Sequence, residues 1–391
     1  MAAETQNDGT INIDGTIYTK RIICNDDELI NRLKYRKVLN DKLENYNYML
    51  DCPEANNYAT DKLLGTGTYN EVYSIKEDPK KALRITNAGE SESNLNQEIK
   101  GMFLQAFLSK LMVETSRDEK SNICAVYEFG YAFIPDSKNR NPEPNRRVYA
   151  IIELLTTPDL IKYLDDNESK PYLQLKNVFK GALKALNTMH TFHYEHLDIK
   201  LENIGLDSEN NAKIFDFGMA RWIPNDNYYF PRAYGTPLYI DPHFKNKHRI
   251  NFKSDIYSLG VALILTYFNF ETHKPDKQLY DRRFYLVRKI KELSYSYESQ
   301  TMERLSYPIF HPNKPEPWDK FERLKYDSEQ DEQTPGLLEE LVKNMTHPDP
   351  NRRIDAERAL RAKWFHPTTG GRKRKTRKPI KRNRKSRKTT K

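Results

Sequence analysis

The chain has 391 residues, enough for a sizeable core, and carries 64 Lys and Arg against 55 Asp and Glu, for a net charge of +9. Its three cysteines, Cys24, Cys52 and Cys124, lie far apart without CxxC spacing, which argues against a disulfide framework or structural zinc and for a reducing compartment. Residues 1–8 lack the basic and apolar regions of a secretory signal, and the longest apolar stretch, Leu259 to Phe268, is too short to span a bilayer and reads as a buried helix.

Residues 1–26 read as disordered. From 27 to about 50, Leu29, Ile30, Leu33, Val38, Leu39 and Leu43 recur at the spacing of an amphipathic helix that docks on the body. These make up an N-terminal extension, 1–58. Near Asp61 the pattern turns to strands, with Leu63-Leu64-Gly65-Thr66-Gly67-Thr68-Tyr69-Asn70-Glu71-Val72 as a Gly-rich hairpin and Ala82-Leu83-Arg84-Ile85 as the strand after it. A helix follows around residues 94–100, and 149–155 reads as a buried strand. His196-Leu197-Asp198-Ile199-Lys200-Leu201-Glu202-Asn203 then precedes Asp216-Phe217-Gly218, with thirteen positions from Asn203 to Asp216. Farther on stand Gly235-Thr236-Pro237-Leu238-Tyr239, a helix that includes 254–260, and Asp349-Pro350-Asn351-Arg352-Arg353 ahead of Trp364-Phe365. Residues 296–336 are a polar surplus rich in Tyr, Pro and charge, either a partner surface or a plain surface loop. The last stretch, 372–391, holds 13 Lys or Arg and no acid, more than the whole net charge, so the body ahead of it is mildly acidic. With Ile380 as its one sizeable apolar side chain, the 367–391 tail is expected to be disordered.

The two polar runs in this order, behind a Gly-rich hairpin, resemble a eukaryotic-type protein kinase over about residues 59–366. The resemblance implies an α+β, bilobal fold: a small β-rich N-lobe with the helix the family calls αC, about 59–155, and a larger, mainly helical C-lobe, about 156–366. It implies ATP and Mg²⁺ as cofactors, Asp198 as the base toward a substrate hydroxyl, Lys200 as electrostatic stabiliser, and Asn203 and Asp216 as metal ligands. Gly65 and Gly67 would let backbone amides approach the phosphates, and Val72 and Ala82 would cover the adenine. Glu153 to Leu155 would offer it backbone groups beside the gatekeeper Ile152, and Asp159 could reach the ribose. Glu98 takes the place of the αC glutamate, with Glu90 and Glu92 as alternatives. Lys200 and Thr236 imply Ser/Thr rather than Tyr hydroxyls as acceptors. His190, His193 and His196 stand three apart, but in the kinase reading the first two end a helix and His196 supports the catalytic loop rather than a metal.

Five positions depart from the family pattern. Arg84 stands where a compact Lys ammonium should bridge phosphates and Glu98, and its planar fork is not equivalent. Asn70 replaces the third glycine of the loop. Gly205 replaces the large apolar floor under adenine, thinning that contact. Asp241-Pro242-His243 replaces Ala-Pro-Glu, so the usual Glu partner of Arg353 is missing. Leu197 replaces the Arg that receives an activation-loop phosphate, and between Gly218 and Gly235 there is no Ser or Thr, only Tyr228, Tyr229 and Tyr234. That combination implies a segment that orders without Ser/Thr phosphorylation.

Two functions follow: an active Ser/Thr kinase acting on protein substrates, with Arg84 or a nearby Lys steadying ATP, or a pseudokinase that uses the fold as scaffold or switch. The N-terminal helix would brace αC or block it. The tail would bind nucleic acid, an anionic membrane or other polyanions non-specifically, or serve as a solubilising or targeting extension. Gly-Gly ahead of a polybasic end resembles tails of large DNA virus proteins. The expected location is intracellular, cytoplasm or nucleus, or an infected cell or virion.

Overall fold

The computed structural model describes residues 9–23, 55–115, 120–134, 145–165, 172–225, 227–236, 239–271, 334–347 and 349–366. The helix expected near 27–50, nearly all of the 296–336 stretch and the 367–391 tail lie outside the described residues. No helix among those described is long and apolar enough to cross a membrane.

Seven strands form a closed barrel: β1 (Thr10–Ile13), β2 (Thr16–Ile22), β3 (Tyr58–Thr66), β4 (Asn70–Ile75), β5 (Lys81–Thr86), β6 (Val126–Phe133) and β7 (Arg147–Glu153). Their order around the barrel is β1-β2-β6-β7-β5-β4-β3. The first two strands correct the expectation that residues 1–26 are disordered. β1 alternates partly buried and buried residues, sending Ile11 and Ile13 inward, and joins β2 through Asp14-Gly15, both at positive φ (49° and 86°). Asp-Gly between alternating apolar residues is a strong local signal for a two-residue hairpin turn. β2 pairs with β6 from Thr19↔Phe133 to Ile22↔Gly130, and β1 runs parallel to the start of β3. The hairpin therefore covers both edges that the other five strands would leave open.

Inside this barrel Ile11, Ile13, Tyr73, Ile75, Leu83, Ile85 and Tyr149 form one apolar cluster. Lys20 is fully buried beside it, with Nζ 2.5 Å from Glu128 Oε1. Glu128 also accepts from Tyr149 Oη at 2.7 Å and Tyr58 Oη at 3.0 Å. A buried cation and carboxylate are tolerated because each is paired and hydrogen-bonded. The pair ties the N-terminal hairpin to β6 and β7.

Helix α1 (Glu92–Thr115) lies against the barrel and buries Leu95, Ile99, Met102, Phe103, Phe107, Leu108 and Leu111 at three- and four-residue spacing. At Gly101 a Cβ would stand 3.0 Å from the Gly218 backbone N, so glycine lets the helix lie directly on the 217–218 peptide.

The helical part contains α2 (Leu160–Asp165), α3 (Tyr172–Thr191), α4 (Pro242–Lys247), α5 (Ser254–Glu271), α6 (Thr334–Met345) and α7 (Ala356–Leu360). Short antiparallel pairs link β8 (Tyr194–Glu195) with β11 (Arg221–Trp222), β9 (Ile204–Leu206) with β10 (Ala212–Ile214), and β12 (Tyr228–Tyr229) with β13 (Arg249–Ile250). Val178, Phe179, Ala182, Leu183 and Leu186 give α3 one continuous buried face, and α5 buries Ile256, Leu259, Val261, Ala262 and Leu263 beside it in the same core.

Arg353 has a carboxylate partner that the sequence reading missed. Its NH1 and NH2 lie 2.7 and 2.8 Å from the two oxygens of Asp241, both side chains almost fully buried. Asp241 also caps α4, accepting from His243 N at 2.9 Å. The negative charge has moved from position 243 to 241, and the shorter side chain at the cap reaches the guanidinium in fork geometry.

Candidate active site

The loop between β8 and β9 is held from below by α5. Asp255 is buried there, and its carboxylate accepts the backbone N–H of His196 at 2.7 Å and of Leu197 at 2.9 Å. His190 Nε2 lies 3.1 Å from the same carboxylate. Leu197 adopts a φ of 65°, a left-handed conformation costing an L-residue about 1–2 kcal/mol, which these bonds offset. His196 Nε2 meets the Phe215 carbonyl at 3.0 Å, and its ring packs 4.9 Å from Phe217. His190 lies in the last turn of α3, and His196 braces the loop. Among the described residues no group of His, Cys, Asp and Glu is arranged to hold a metal by itself.

Asp198, Lys200, Asn203 and Thr236 are brought together. Asp198 Oδ1 accepts from Thr236 Oγ1 at 2.7 Å and from Thr236 N at 3.0 Å. Its Oδ2 lies 2.7 Å from Lys200 Nζ and 3.2 Å from Asn203 Nδ2. Lys200 Nζ also reaches Thr236 Oγ1 at 3.1 Å. Burial of Asp198 works against ionisation, but Lys200, with the Thr236 hydroxyl and His196, outweighs it and holds the carboxyl below the usual carboxylate range. Asp198 is therefore an anion at neutral pH with its acceptor sites already oriented.

Asp216 stands at φ 65°, ψ 70°, with its side chain 38% exposed. Arg84 NH1 lies 2.6 Å from Glu98 Oε2, and NH2 lies 3.6 Å from Asp216 Oδ1. Burial opposes the charge on Arg84, and Glu98 and Asp216 more than offset it. Of the three candidate glutamates, Glu98 meets Arg84, whereas Glu90 accepts from Asn94 at 2.6 Å and Glu92 pairs with Arg146. Lys81 pairs with Asp78 at 3.0 Å, and buried Lys213 with Glu153 at 2.8 Å.

On the barrel side Ala82 is buried and Val72 half-buried, cross-strand from Ile152 and Arg84 respectively. Gly65 has open space around it, while Gly67 closes the tight turn by donating its N–H to the Asn70 carbonyl at 2.7 Å. Of the linker groups expected to face adenine, the N–H of Glu153 donates to the Ala125 carbonyl at 3.0 Å and that of Leu154 to the Lys80 carbonyl at 2.9 Å. No hydrogen bond among the described residues uses the backbone of Leu155. Asp159, expected near the ribose, accepts from Lys162 N at 2.7 Å and so caps α2.

The segment after Gly218 is fixed by apolar contacts. Leu197, Ile223, Phe230, Phe244 and Ile250 form a buried cluster, with Met219, Tyr234 and Phe252 packed around it. At Gly235, φ is 111° and a Cβ would fall 2.3 Å from the Leu197 carbonyl oxygen, so only glycine brings Thr236 this close to the loop.

A model of the protein kinase domain matches residues 58–365, and the chain belongs to that family. The LEAF RUST 10 disease-resistance locus receptor-like protein kinase-like 1.3 of Arabidopsis thaliana is 35% identical over 125 residues, 30% of this chain and 18% of that one. Serine/threonine-protein kinase pakC of Dictyostelium discoideum is 34% identical over 122 residues, 31% of this chain and 26% of that one. Death-associated protein kinase 2 of Homo sapiens is 25% identical over 224 residues, 56% of this chain and 51% of that one. The matched stretch thus spans between 18% and 51% of the length of these relatives.

Proposed function

We propose that this protein transfers the γ-phosphoryl group of ATP to Ser and Thr hydroxyls of proteins, working in the cleft between the barrel and the helical part as two lobes. The observation that carries the reading is Asp198, held at 2.7 Å by both Thr236 Oγ1 and Lys200 Nζ. An incoming hydroxyl finds a desolvated carboxylate of fixed orientation, able to take its proton as the oxygen bonds to the γ-phosphorus and ADP leaves. Lys200 sets an ammonium beside the charge that develops there.

Asn203 and Asp216 fit a magnesium ion. The Asn203 amide nitrogen is committed to the Asp198 carbonyl at 2.9 Å, which turns its Oδ1 the other way, and Asp216 presents a partly exposed carboxylate. Two hard oxygen donors with room for water and phosphate oxygens suit this cation, which would screen the phosphate charge when bound. Arg84, fixed by Glu98, steadies the phosphates in place of the usual Lys. The pseudokinase reading draws support from one distance: Arg84 NH2 is 3.6 Å from Asp216 Oδ1, where a guanidinium competes with the metal for its ligand. The similarity to serine/threonine-protein kinase pakC supports Ser/Thr acceptors.

Transfer of labelled γ-phosphate to a basic acceptor protein, followed by acid hydrolysis, tests the proposal. Phosphoserine and phosphothreonine are expected. Phosphotyrosine alone would overturn the acceptor class, and no transfer by folded protein would favour the scaffold.

A further inference from the structure

Gly205 is buried in β9, and the space its side chain would fill is already taken. A Cβ there would lie 2.6 Å from Leu155 Cδ1, 2.8 Å from the Pro158 carbonyl oxygen and 2.9 Å from the Thr157 carbonyl oxygen. All three approaches are too short for real contacts, so the linker after β7 has closed onto β9 in a way that only glycine permits. Hydrogen bonds fasten it there. Thr157 N–H donates to the Leu206 carbonyl at 3.2 Å, Leu206 N–H to the Thr157 carbonyl at 2.9 Å, and Thr156 Oγ1 to the Asp207 carbonyl at 2.8 Å.

We infer that the Leu155 side chain is the apolar floor of the adenine site, supplied by the linker instead of by β9. The inference rests on the ATP-site reading given above and deepens it. The small side chains of Val72 and Ala82 form the barrel side of that site, and the Leu155 backbone beside it makes no hydrogen bond among the described residues, which leaves its N–H and carbonyl for the base edge. One residue then contributes both the polar edge contact, through its backbone, and the apolar face contact, through its isobutyl group. Position 205 must stay glycine to make room for it. The missing floor at Gly205 is a relocation of apolar surface, not its loss.

The test is Mg-ATP affinity of full-length wild type, Leu155→Ala and Gly205→Ala, by titration calorimetry, with tripolyphosphate as a probe that lacks the base. Leu155→Ala is expected to weaken ATP about tenfold, the scale of roughly 50 Å² of apolar contact, and to leave tripolyphosphate unchanged. Gly205→Ala forces the linker outward, so it should lower the melting temperature without any nucleotide present and weaken ATP as well. ATP binding by Leu155→Ala that matches or exceeds wild type would overturn the floor, the latter by showing that Leu155 obstructs the site. Equal weakening of ATP and tripolyphosphate would also overturn it. A folded wild type that binds no nucleotide would refute the ATP site itself, and with it any floor, while the nucleotide-free melting of Gly205→Ala still reports the packing.

Discussion

Replacing Asp241 with Asn keeps its shape and an oxygen for the α4 cap, but removes the charge that faces Arg353. The guanidinium is fully buried, and its NH1 and NH2 take 2.7 and 2.8 Å bonds to Asp241, with further bonds to the His347 and Lys253 carbonyls at 3.0 Å. Glu195 also lies close by, but burial, with Asp255 and Asp241, pushes it well above the ordinary carboxyl range, so it offers no counter-charge. A buried cation left without its anion costs about 3–5 kcal/mol, a large part of a typical total of about 5–15 kcal/mol. Urea unfolding followed by circular dichroism should show Asp241→Asn losing that amount. His243→Ala, at the position where the family pattern has its glutamate, should stay within about 0.5 kcal/mol because its ring is partly exposed. Replacing the pair together, Asp241→Ala with Arg353→Met, should recover much of the loss. A cost below about 1 kcal/mol for Asp241→Asn, or an equal cost for His243→Ala, would refute the assignment of Asp241 as the partner.

Three further outcomes follow from buried groups. Lys20→Met strands Glu128 inside the barrel and should cost about 3–5 kcal/mol, and cleavage of the N-terminal hairpin well below the protein's own melting point would contradict an integral role for β1 and β2. Glu195 has a folded-state pKa raised above its unfolded value of about 4.3, so wild-type stability drains away as pH rises through that window. Glu195→Gln should gain on wild type as pH climbs from about 4 to 7, and parallel stability curves would show that Glu195 does not titrate as argued. Leu197→Arg sets a cation among Ile223, Phe230 and Phe244 and should cost about 3 kcal/mol while speeding proteolysis after Gly218. For the same reason Ser/Thr phosphatase should leave wild-type activity unchanged, and a collapse of activity would overturn the apolar latch.

What the sequence disclosed was the part written in contiguous runs. Asp198, Lys200 and Asn203 lie within six residues, so a single loop conformation brings them together, and the Gly-rich hairpin carries its own turn signal. Glu98 was legible by its place in a helical pattern, although only packing distinguishes it from Glu90 and Glu92. Pairings between distant residues were not legible. Asp241 and Arg353 are separated by 112 positions, and the shift of the acid by two residues shows only in three dimensions. The N-terminal hairpin escaped because β2 is mostly polar and has exposed positions, yet Asp14-Gly15 between Ile13 and Ile17 was a usable turn signal. The floor exchange between Gly205 and Leu155 left half its trace in the sequence: the glycine looked like a loss until the leucine was seen beside it.

The central claim is most directly tested by phosphoryl transfer from Mg-ATP with wild type beside Asp198→Asn, each also carrying Arg84→Lys. Asp198→Asn keeps the shape of the side chain and one acceptor, for either Thr236 or Lys200, but cannot take the proton, so its rate should fall at least about a hundredfold on either background, with the fold intact. Equal rates with and without Asp198, or no transfer from wild type and from Arg84→Lys alike, would contradict an active kinase built around this carboxylate.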